Sequence, residues 1–537
     1  MSLNFTSPEF TDAVTAIVEE KTYNWIGDIN ASFVLTSGYL VFMMQLGFAL
    51  LTIGCVQAKS ARSVCLKNIM DAAFGAIGYY LFGWAFAYGD KMACDADGVC
   101  VNDGNPFIGT EWFALNDTLS TQYYTWFFQY VFAISTATIV SGAVAERVKF
   151  IAYALYAFFL CAWVYPVLSH WVWSGSGWAS PTRAASVGGL LIGSGAYDTV
   201  GSGAVHMVGG FAALAGAWVA GPRLGRFDAN GKPNEMPGHN AVYYTAGVLL
   251  LWFGFYGFNP GTMGQIVAAD GSSFSNVVAR CALSTTLGGG FGAASGLIVY
   301  LIYSKLRFKH FIWDLTAAGN GALGGMIVIT SGCATLRPWS AALGGIIGGA
   351  LLLPGQILTL NVMKVDDPVD AFTLHGICGA AGVLFYALFA DQAAVDQLYG
   401  PAPDGSPRHY GWFMGDTPHV LGANVIWILV IAGWTLAMMV PFFKLLDVLG
   451  LLRVSPQDQM LGVDVSHHGG SAYPSVDSKG LDDNFKVIQN DSASTLYGGK
   501  EDITSLAAKI GALEAQLTTV THKLRSLEGG ANGVDHV

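Results

Sequence analysis

Charged residues are scarce in this chain. Only 12% of its 537 residues are Asp, Glu, Lys or Arg, and 53% are hydrophobic, whereas an ordinary soluble domain carries about 25% charged residues. The mean hydropathy is +0.46. This composition excludes an ordinary soluble protein and predicts a membrane protein that crosses the bilayer several times.

Three further signatures are missing. The Lys and Arg residues form no basic patch of the kind that binds nucleic acid. No Cys/His set with zinc spacing surrounds the two histidines described below, so we expect no metal, no cofactor and no enzymatic chemistry. The first 30 residues lack the basic leader, apolar core and small-residue cleavage site of a secretory signal. We therefore expect the first span itself to direct insertion.

Long apolar runs, in contrast, are abundant. A helix needs about 20 apolar residues to cross the hydrocarbon core. Such runs occur near residues 31–56, 68–89, 122–144, 150–172, 199–220, 241–261, 277–303, 311–331, 340–362, 367–390 and 420–446. They predict an all-α polytopic membrane protein with eleven transmembrane helices.

The basic residues of the short loops indicate the orientation of these helices. With the N-terminus outside, most of them, Lys59 and Arg62 included, fall in cytoplasmic loops. Cytoplasmic loops are usually the more basic ones. This distribution predicts an external N-terminus and a cytoplasmic C-terminus. We expect the protein to lie in the plasma membrane.

Two histidines lie in the middle of glycine-rich apolar runs. His206 belongs to Gly203–Gly210 and His375 to Phe372–Gly379, and each follows an aspartate by eight residues, Asp198 and Asp367 respectively. An ionisable side chain in the hydrocarbon region usually faces a bundle interior or a pore. The matching settings predict one shared functional site.

The positions of the two histidines also suggest an internal repeat. His206 falls in the fifth predicted span and His375 in the tenth. Five spans in each half turn the second half upside down relative to the first, which is a common transporter architecture with its site near the midplane. We predict two inverted five-helix repeats plus one extra helix, the alternative being a chance coincidence of two short motifs.

Neutral imidazole donates one hydrogen bond and accepts another. Two such rings can therefore pass a proton between them or line a narrow path for a small polar solute. This chemistry suits a weak acid such as ammonium or a small neutral molecule. The alternative is that the histidines hold helices together, as polar side chains do in membrane bundles.

Cys94 and Cys100 lie in the predicted external loop 90–121. An oxidising environment favours a disulfide between them. Two free thiols fit the sequence equally well.

Six ordered segments carry a composite signature: Phe128–Ala133, Ser141–Arg147, Ser169–Trp173, Asp198–His206, Trp252–Thr262 and Leu374–Gly379. Together they resemble the ammonium transporters of the Amt/Mep/Rh family. The tail run Gly462–Tyr473 resembles the cytoplasmic regulatory tail of that family, most closely in its plant-type subgroup. The resemblance covers about residues 30–475.

The resemblance implies roles for the residues of the pore. His206 and His375 match the twin pore histidines of the family, and Phe132 and Phe258 match the stacked aromatic gate above them. The family's members are trimers with one pore in each subunit. A homotrimer is therefore expected here.

It also implies an external ammonium-binding site, formed by Trp173, Phe128, Thr262 and the outer face of the Phe132 ring. Many members have serine where this chain has Thr262, which keeps the hydroxyl and adds a methyl group. Asp198 matches an aspartate that braces this region and is expected to act as structural support. Asp367 is its counterpart in the second repeat.

The predicted function is therefore ammonium transport. Ammonium is recruited and deprotonated at the external aromatic site, and ammonia, with or without the proton, passes the twin histidines. A channel for gas or small neutral solutes and an ammonium sensor (transceptor) are the alternatives. A saturable ammonium-dependent current would argue against the first, and a recognisable signalling domain in the tail would favour the second.

The predicted organisation places an extracellular N-terminus at 1–30, the transporter domain at 31–446, a cytoplasmic regulatory tail at 447–475 and a disordered linker at 476–501. From Ile503 to Leu527, apolar residues recur at alternating steps of three and four. This heptad pattern predicts a short coiled coil over 502–528. An amphipathic helix on the membrane or on the protein itself is the alternative.

The tail also contains a candidate regulatory motif. Ser466 stands where plant-type relatives carry a phosphorylatable residue, between Asp464 and Gly469. A phosphate adds nearly two negative charges at neutral pH. We expect a kinase acting on Ser466 to disturb a tail that contacts the neighbouring subunit, unless Ser466 is simply an exposed serine.

Overall fold

The computed structural model describes residues 8–94 and 100–473. The predicted linker at 476–501 and coiled coil at 502–528 lie outside these residues. So do residues 1–7 of the predicted N-terminal segment and the last two residues of the predicted regulatory tail.

Apolar helices make up most of the described chain. Among the described residues, ten helices are long and apolar enough to cross a membrane, and an eleventh is shorter. We name them α1 (Pro8–Cys55, apolar from Asn24), α2 (Ala58–Tyr88), α3 (Ser120–Ala143), α4 (Phe150–Trp173), α5 (Ser202–Ala220), α6 (Ala241–Gly261), α7 (Ser275–Phe308), α8 (Leu315–Thr330), α9 (Pro338–Val362), α10 (Phe372–Phe389) and α11 (His419–Val448). The prediction of an all-helical membrane protein is confirmed.

Three of these helices extend beyond the predicted spans, and α2 begins at Ala58, ten residues before its predicted start at residue 68. α1 is continuous from Pro8 to Cys55, a length of 48 residues, and α7 has 34 residues. About 20 residues suffice to cross the hydrocarbon core. Both helices are therefore longer than a crossing requires.

Short elements complete the described chain. A hairpin of β1 (Met92–Cys94) and β2 (Cys100–Asn102) is closed by a disulfide between Cys94 and Cys100. This pairing is one of the two alternatives that the sequence left open. The remaining short elements are the helices Gln392–Tyr399, Pro456–Leu461 and Val463–His467 and the 3-10 turns Phe113–Leu115, Leu191–Gly193 and Trp412–Met414.

The two ends of α2 define two sides of the bundle. The hairpin follows the end of α2, and we call this end of the bundle the hairpin side. The helices Pro456–Leu461 and Val463–His467 lie at the start of α2, where Lys59 Nζ donates to the carbonyl of Gln459 at 2.9 Å. We call that end the tail side.

Glycine allows α7, α8 and α9 to pack closely. A Cβ added at Gly292 of α7 would lie 2.3 Å from the carbonyl oxygen of Gly321 of α8, and one added at Gly349 of α9 would lie 2.2 Å from that of Gly292. Any larger residue would push these helices apart. Close backbone approach of this kind stabilises helix pairs where lipid removes the hydrophobic driving force.

Buried ion pairs join the loops of the tail side. The Arg223 guanidinium binds the Asp366 carboxylate through Nε at 2.8 Å and also pairs with Glu146, and Arg147 Nη2 donates to the Asp366 carbonyl at 2.6 Å. Burial alone would raise the pKa of Asp366, but the two guanidinium groups hold it well below its usual range. The network joins three loops: the loop after α3, the loop after α5 and the loop before α10.

Five π-helical turns interrupt the apolar helices, at Tyr79–Gly83, Leu160–Val164, Ser202–Met207, Ile357–Val362 and Phe372–Ile377. Such turns are rare and often mark functional sites. Two of the five carry His206 and His375. The widened backbone therefore coincides with the ionisable residues of α5 and α10.

Candidate functional site

The structure brings the two histidines into direct contact. Nδ1 of His206 lies 3.0 Å from Nδ1 of His375, and the ring centroids are 5.2 Å apart at an interplanar angle of 21°. A hydrogen bond between two Nδ1 atoms requires one to carry the proton and the other to accept it. The neutral pair therefore has two arrangements, which differ in which ring carries its proton on Nδ1 and which ring carries it on Nε2.

Glycine permits this contact, because α5 and α10 cross at positions that carry no side chain. A Cβ added at Gly379 would lie 2.5 Å from the Ser202 carbonyl oxygen, and one added at Gly210 would lie 2.2 Å from the Gly376 nitrogen. An alanine at either position would separate the helices by a few tenths of an ångström or more. The glycine-rich setting of both histidines is thus a requirement of their geometry.

Each aspartate eight residues upstream caps the turn that carries the histidine. The Asp198 carboxylate accepts from the nitrogens of Gly203 and Ala204, the latter at 2.7 Å. The Asp367 carboxylate accepts from the nitrogens of Val369 and Phe372, the latter at 2.9 Å. In both segments the carboxylate bonds the N–H five residues further on, which fixes where the π turn begins.

On the hairpin side, His206 is covered by a closed aromatic stack. Its ring lies 5.8 Å from that of Phe255 and 5.5 Å from that of Phe258. Phe258 in turn stacks on Phe132 with centroids 4.0 Å apart and an angle of 10° between the planes. Both phenylalanine rings are fully buried, so a solute can pass only when the rings move.

A cavity of about 190 Å³ lies on the hairpin side of this stack. It is lined by Val172, Trp173, Pro181, Thr182, Asp198, Thr199, Thr262, Met263, Leu398 and Tyr399. A water molecule takes about 30 Å³ in the liquid, so the cavity can hold an ammonium ion and several waters. Its polar residues are Trp173, Asp198 and the hydroxyl-bearing Thr182, Thr199, Thr262 and Tyr399.

Two predicted binding residues are oriented by their own hydrogen bonds. Trp173 Nε1 donates to the Asp198 carbonyl at 2.8 Å, and Thr262 Oγ1 donates to the Phe258 carbonyl at 2.8 Å. The Thr262 hydroxyl has used its only proton, and its oxygen remains able to accept a hydrogen bond from a cation. The Trp173 indole is fixed with its ring toward the cavity.

The other predicted binding residues stand behind this cavity. Phe132 lies edge-on to Trp173 with centroids 6.3 Å apart, and Phe128 packs on Phe132 at 4.8 Å. A Cβ added at Gly261 would lie 2.8 Å from the Phe128 ring, so this phenylalanine also supports the residue before Thr262. The structure therefore places Phe128 and Phe132 next to the cavity and outside its lining.

A much smaller cavity, of about 20 Å³, lies on the tail side of His375. Its lining is mostly aliphatic and includes Phe48, Leu51, Leu323 and Leu374. Near this end of the pore, Asp370 accepts from Gln356 Nε2 at 2.7 Å and from Asn320 Nδ2 at 3.2 Å. Burial and the neighbouring Asp367 carboxylate raise the pKa of Asp370 to about 7.

Several residues of the site escaped the sequence interpretation. The Asp198 carboxylate also accepts from Ser331 Oγ at 2.6 Å and from Trp427 Nε1 at 3.2 Å, and Phe255 stacks beside His206. Ser331 and Trp427 lie more than 100 residues from Asp198, outside any local motif. Phe255 lies in a run of aromatic residues on α6, and the sequence does not indicate which of them faces the pore.

The tail motif is docked on its own chain. The Asp464 carboxylate accepts from the nitrogens of Arg62 and Ser63, both at 2.8 Å, and so caps the start of α2. Ser466 is half-buried, and its hydroxyl donates to the Gly462 carbonyl at 3.1 Å. Gly469 has a φ of 75° and follows His468, whose carbonyl accepts from Arg62. Burial raises the pKa of Asp464.

Within residues 8–94 and 100–473, no group of three or more His, Cys, Asp or Glu side chains could hold a metal ion.

Residues 31–473 match the family model described as "Ammonium Transporter Family". The chain is 45% identical over 452 residues to "Ammonium transporter 1 member 3" of Solanum lycopersicum, covering 83% of this chain and 93% of that one. It is 44% identical to "Ammonium transporter 1 member 1" of Arabidopsis thaliana, covering 82% and 84% of the two chains.

Solved structures with the same architecture include "Sensor Amt Protein", with a TM-score of 0.68 and 29% identity over 83% of this chain and 99% of that one. Candida albicans Mep2 has a TM-score of 0.67 at 24% identity, over 83% and 90% of the two chains. The second likeness concerns the fold alone.

Proposed function

This chain belongs to the ammonium transporter family, and we propose that it takes ammonium into the hairpin-side cavity, removes a proton there and conducts ammonia past the His206–His375 pair. It is a membrane transporter of ammonium and no enzyme. The twin-histidine pair in direct contact is the observation that carries the mechanism. The individual steps follow from the geometry on either side of it.

Recruitment rests on the cavity lined by Trp173, Asp198 and Thr262. A desolvated cation over an aromatic face gains roughly 2 kcal/mol, and the Asp198 carboxylate adds a favourable electrostatic field. Thr262 supplies an acceptor for one N–H of ammonium. Phe132 and Phe128 complete the aromatic wall when the Phe132 ring moves.

Deprotonation has to precede passage. A cation in the hydrocarbon region costs several kcal/mol, and the histidines beyond the aromatic stack offer no fixed negative charge. Ammonia, by contrast, can donate to one imidazole nitrogen and accept from another. We propose that the stack of Phe132 and Phe258 opens for the neutral molecule, which then passes His206 and His375 to the aliphatic tail-side cavity.

We further propose an inverted repeat of α1–α5 and α6–α10, with α11 outside it. The two capped π turns, each with its aspartate five residues before a bonded N–H, support this symmetry. The hairpin side then faces outward and the tail side faces the cytoplasm, in agreement with the distribution of basic loop residues. A plasma-membrane location, a homotrimer with one pore per subunit and a kinase acting on Ser466 follow from the family's properties.

The test measures the uptake of labelled methylammonium and the membrane current that accompanies it, in cells that lack their own ammonium transporter. Saturable uptake that ammonium inhibits supports the mechanism. A non-saturable flux that carries other small neutral solutes equally well would contradict it in favour of a solute channel. Activity of a coupled signalling readout without any uptake would instead favour a sensor.

A further inference from the structure

The hairpin-side cavity contains hydroxyl groups that the proposed mechanism leaves without a role. Besides Thr262, its lining includes the hydroxyl-bearing residues Thr182, Thr199 and Tyr399. Ammonium donates hydrogen bonds in four directions, and a donor that loses its water without finding another acceptor costs free energy. The cavity therefore needs more than one acceptor, and these hydroxyls are the candidates.

Two of these hydroxyls form a pair. Thr199 Oγ1 lies 2.8 Å from Tyr399 Oη, and the two residues are 200 positions apart in the chain. In such a pair one hydroxyl donates to the other, and each hydroxyl oxygen has two acceptor lone pairs. Only one of the four lone pairs is used by the bond within the pair. The pair can therefore accept a hydrogen bond from a cation without breaking.

The backbone holds Thr199 beside the indole of Trp173. Thr199 N donates to the Ser331 carbonyl at 3.2 Å, and the carbonyl of Asp198 accepts from Trp173 Nε1 at 2.8 Å. That carbonyl and that N–H belong to one peptide group, which is thus bonded at both of its polar atoms. The peptide group that orients the indole also carries the Thr199 hydroxyl.

The ring of Tyr399 is held from two sides. The Tyr197 ring lies edge-on to it, with centroids 5.1 Å apart and an angle of 82°, and the Arg408 guanidinium carbon lies 5.6 Å from its centre. Arg408 is itself buried and donates to the Gly400 carbonyl at 3.2 Å. Burial raises the pKa of the Tyr399 hydroxyl, so the pair is neutral at physiological pH. It is preorganised, which lowers the cost of binding.

The other polar groups of the lining are less available as acceptors. The Asp198 carboxylate already accepts from four protein groups, and a carboxylate has about four lone-pair positions. Asp198 therefore acts on a cation through its charge. The Thr182 hydroxyl lies 3.0 Å from that of Ser180, and bonds of this local kind shape turns. The Thr199–Tyr399 pair, by contrast, joins two distant segments at the cavity.

We propose that the Thr199–Tyr399 hydroxyl pair is a second hydrogen-bond acceptor for ammonium, in addition to Thr262, and that it makes the cavity prefer ammonium to methylammonium. The proposal rests on the proposed function, because that function places ammonium in this cavity.

The preference follows from the number of N–H groups. Methylammonium has a methyl group where ammonium has one of its N–H donors. Each acceptor in the cavity leaves fewer directions in which the methyl group can point without leaving a polar group unpaired, and sites that bond a substrate N–H reject analogues that lack it. Water in the cavity can take over part of the lost bonding. The pair should therefore shift the preference several-fold.

The test measures methylammonium uptake and its inhibition by ammonium in cells that lack their own ammonium transporter. The preference ratio is the methylammonium concentration at half-maximal uptake divided by the ammonium concentration at half-inhibition. Thr199→Val keeps the shape of the side chain and puts a methyl group where the hydroxyl was, so water cannot take that place. This variant should lower the preference ratio about fivefold, the size of one net hydrogen bond.

Three further variants separate the hydroxyl from the shape of the side chain. Thr199→Ser keeps the hydroxyl and should keep the wild-type ratio. Tyr399→Phe leaves the Thr199 hydroxyl without its partner and should lower the ratio about twofold, the lower end for one hydrogen bond. It decides the case in which Thr199→Val does not reach the membrane. Thr435→Val is the matched control, since Thr435 is a buried threonine of α11 outside the cavity lining, and it should leave the ratio unchanged.

A purely structural role of the pair would give a different result. The midpoint of thermal unfolding of the purified protein would then fall in Thr199→Val and Tyr399→Phe while the preference ratio stayed at its wild-type value, which overturns the proposal. A ratio that falls as far in Thr199→Ser as in Thr199→Val overturns it as well. A wild-type protein without saturable methylammonium uptake overturns the proposed function itself.

Discussion

The two ends of the pore differ in what they can hold. On the hairpin side, the cavity measures about 190 Å³ and is lined by an indole, an aspartate and four hydroxyl-bearing residues. On the tail side, the cavity next to His375 has about 20 Å³ and a mostly aliphatic lining. This difference fits the proposed order of steps, in which a hydrated cation is held on the hairpin side and a neutral molecule reaches the tail side.

The two aspartates that precede the histidines also differ, in the groups that donate hydrogen bonds to them. Asp198 is bonded by two backbone N–H groups, Ser331 and Trp427. Asp367 is bonded by backbone N–H groups of its own segment. One sequence motif therefore supports two different local environments, and the difference comes from the helices that pack around it.

The largest effect should come from the pair that joins the two ends. We expect His206→Ala or His375→Ala to lower methylammonium uptake by about 100-fold or more, the scale of losing a positioned proton donor and acceptor. The protein should remain folded and present in the membrane. Wild-type uptake and selectivity in both variants at equal surface abundance would contradict the pore assignment.

Acidic replacements sharpen this result. A carboxylate can also donate and accept protons, so His206→Glu or His375→Glu should retain more flux than alanine while discriminating less well against other cations. Competition by potassium during methylammonium uptake measures that discrimination. Equal inhibition by potassium in the wild type and the glutamate variants would show that the histidines do not select the solute.

The two aspartates should respond unequally to the same change. Asp198→Asn places an amide N–H against donors that now bond a carboxylate, and hydrogen bonds to a charged group are worth about 1.5 to 3 kcal/mol. The midpoint of thermal unfolding of the detergent-purified protein should fall further for Asp198→Asn than for Asp367→Asn. Equal shifts would mean that Ser331 and Trp427 add nothing to the cap.

A smaller effect is expected within the hairpin-side cavity. Trp173→Leu should weaken apparent ammonium affinity by about 30-fold, since a desolvated cation gains roughly 2 kcal/mol over an indole. Thr262→Ala should weaken it by a smaller factor, because water in the cavity can accept the same N–H of ammonium once the hydroxyl is gone. Inhibition of methylammonium uptake by ammonium at low concentration measures both. Curves that overlay the wild type would exclude a cation site here.

Much of the pore was predictable from sequence because its chemistry is local. Histidine within a glycine-rich apolar run is a visible anomaly, and Asp198 and Asp367 repeat at a fixed distance. The predicted spans agree with the helices of the structure to within about five residues, except at the starts of α1 and α2. The length and the hydropathy of a span depend only on consecutive residues, so a scan along the sequence finds the spans.

What the sequence could not show are contacts between distant helices. The Nδ1 contact of His206 with His375 depends on Gly379 and Gly210 meeting backbone atoms of the other turn. The hydrogen bonds that Ser331 and Trp427 donate to the Asp198 carboxylate join residues 133 and 229 positions apart, which no local motif reveals.

The smallest effect concerns the tail side, at a distance from the pore. Ser466 lies close to Asp464, whose carboxylate caps the start of α2 through the nitrogens of Arg62 and Ser63. A second negative charge there should repel Asp464, loosen this contact and weaken the docking of the tail.

We expect Ser466→Asp to lower methylammonium uptake several-fold, whereas Ser466→Ala and the uncharged isostere Ser466→Asn should retain it. The isostere separates charge from shape, because it also replaces the hydroxyl that bonds the Gly462 carbonyl. Full uptake by Ser466→Asp at normal surface abundance would show that the docked tail is a tether and that its charge does not reach the pore.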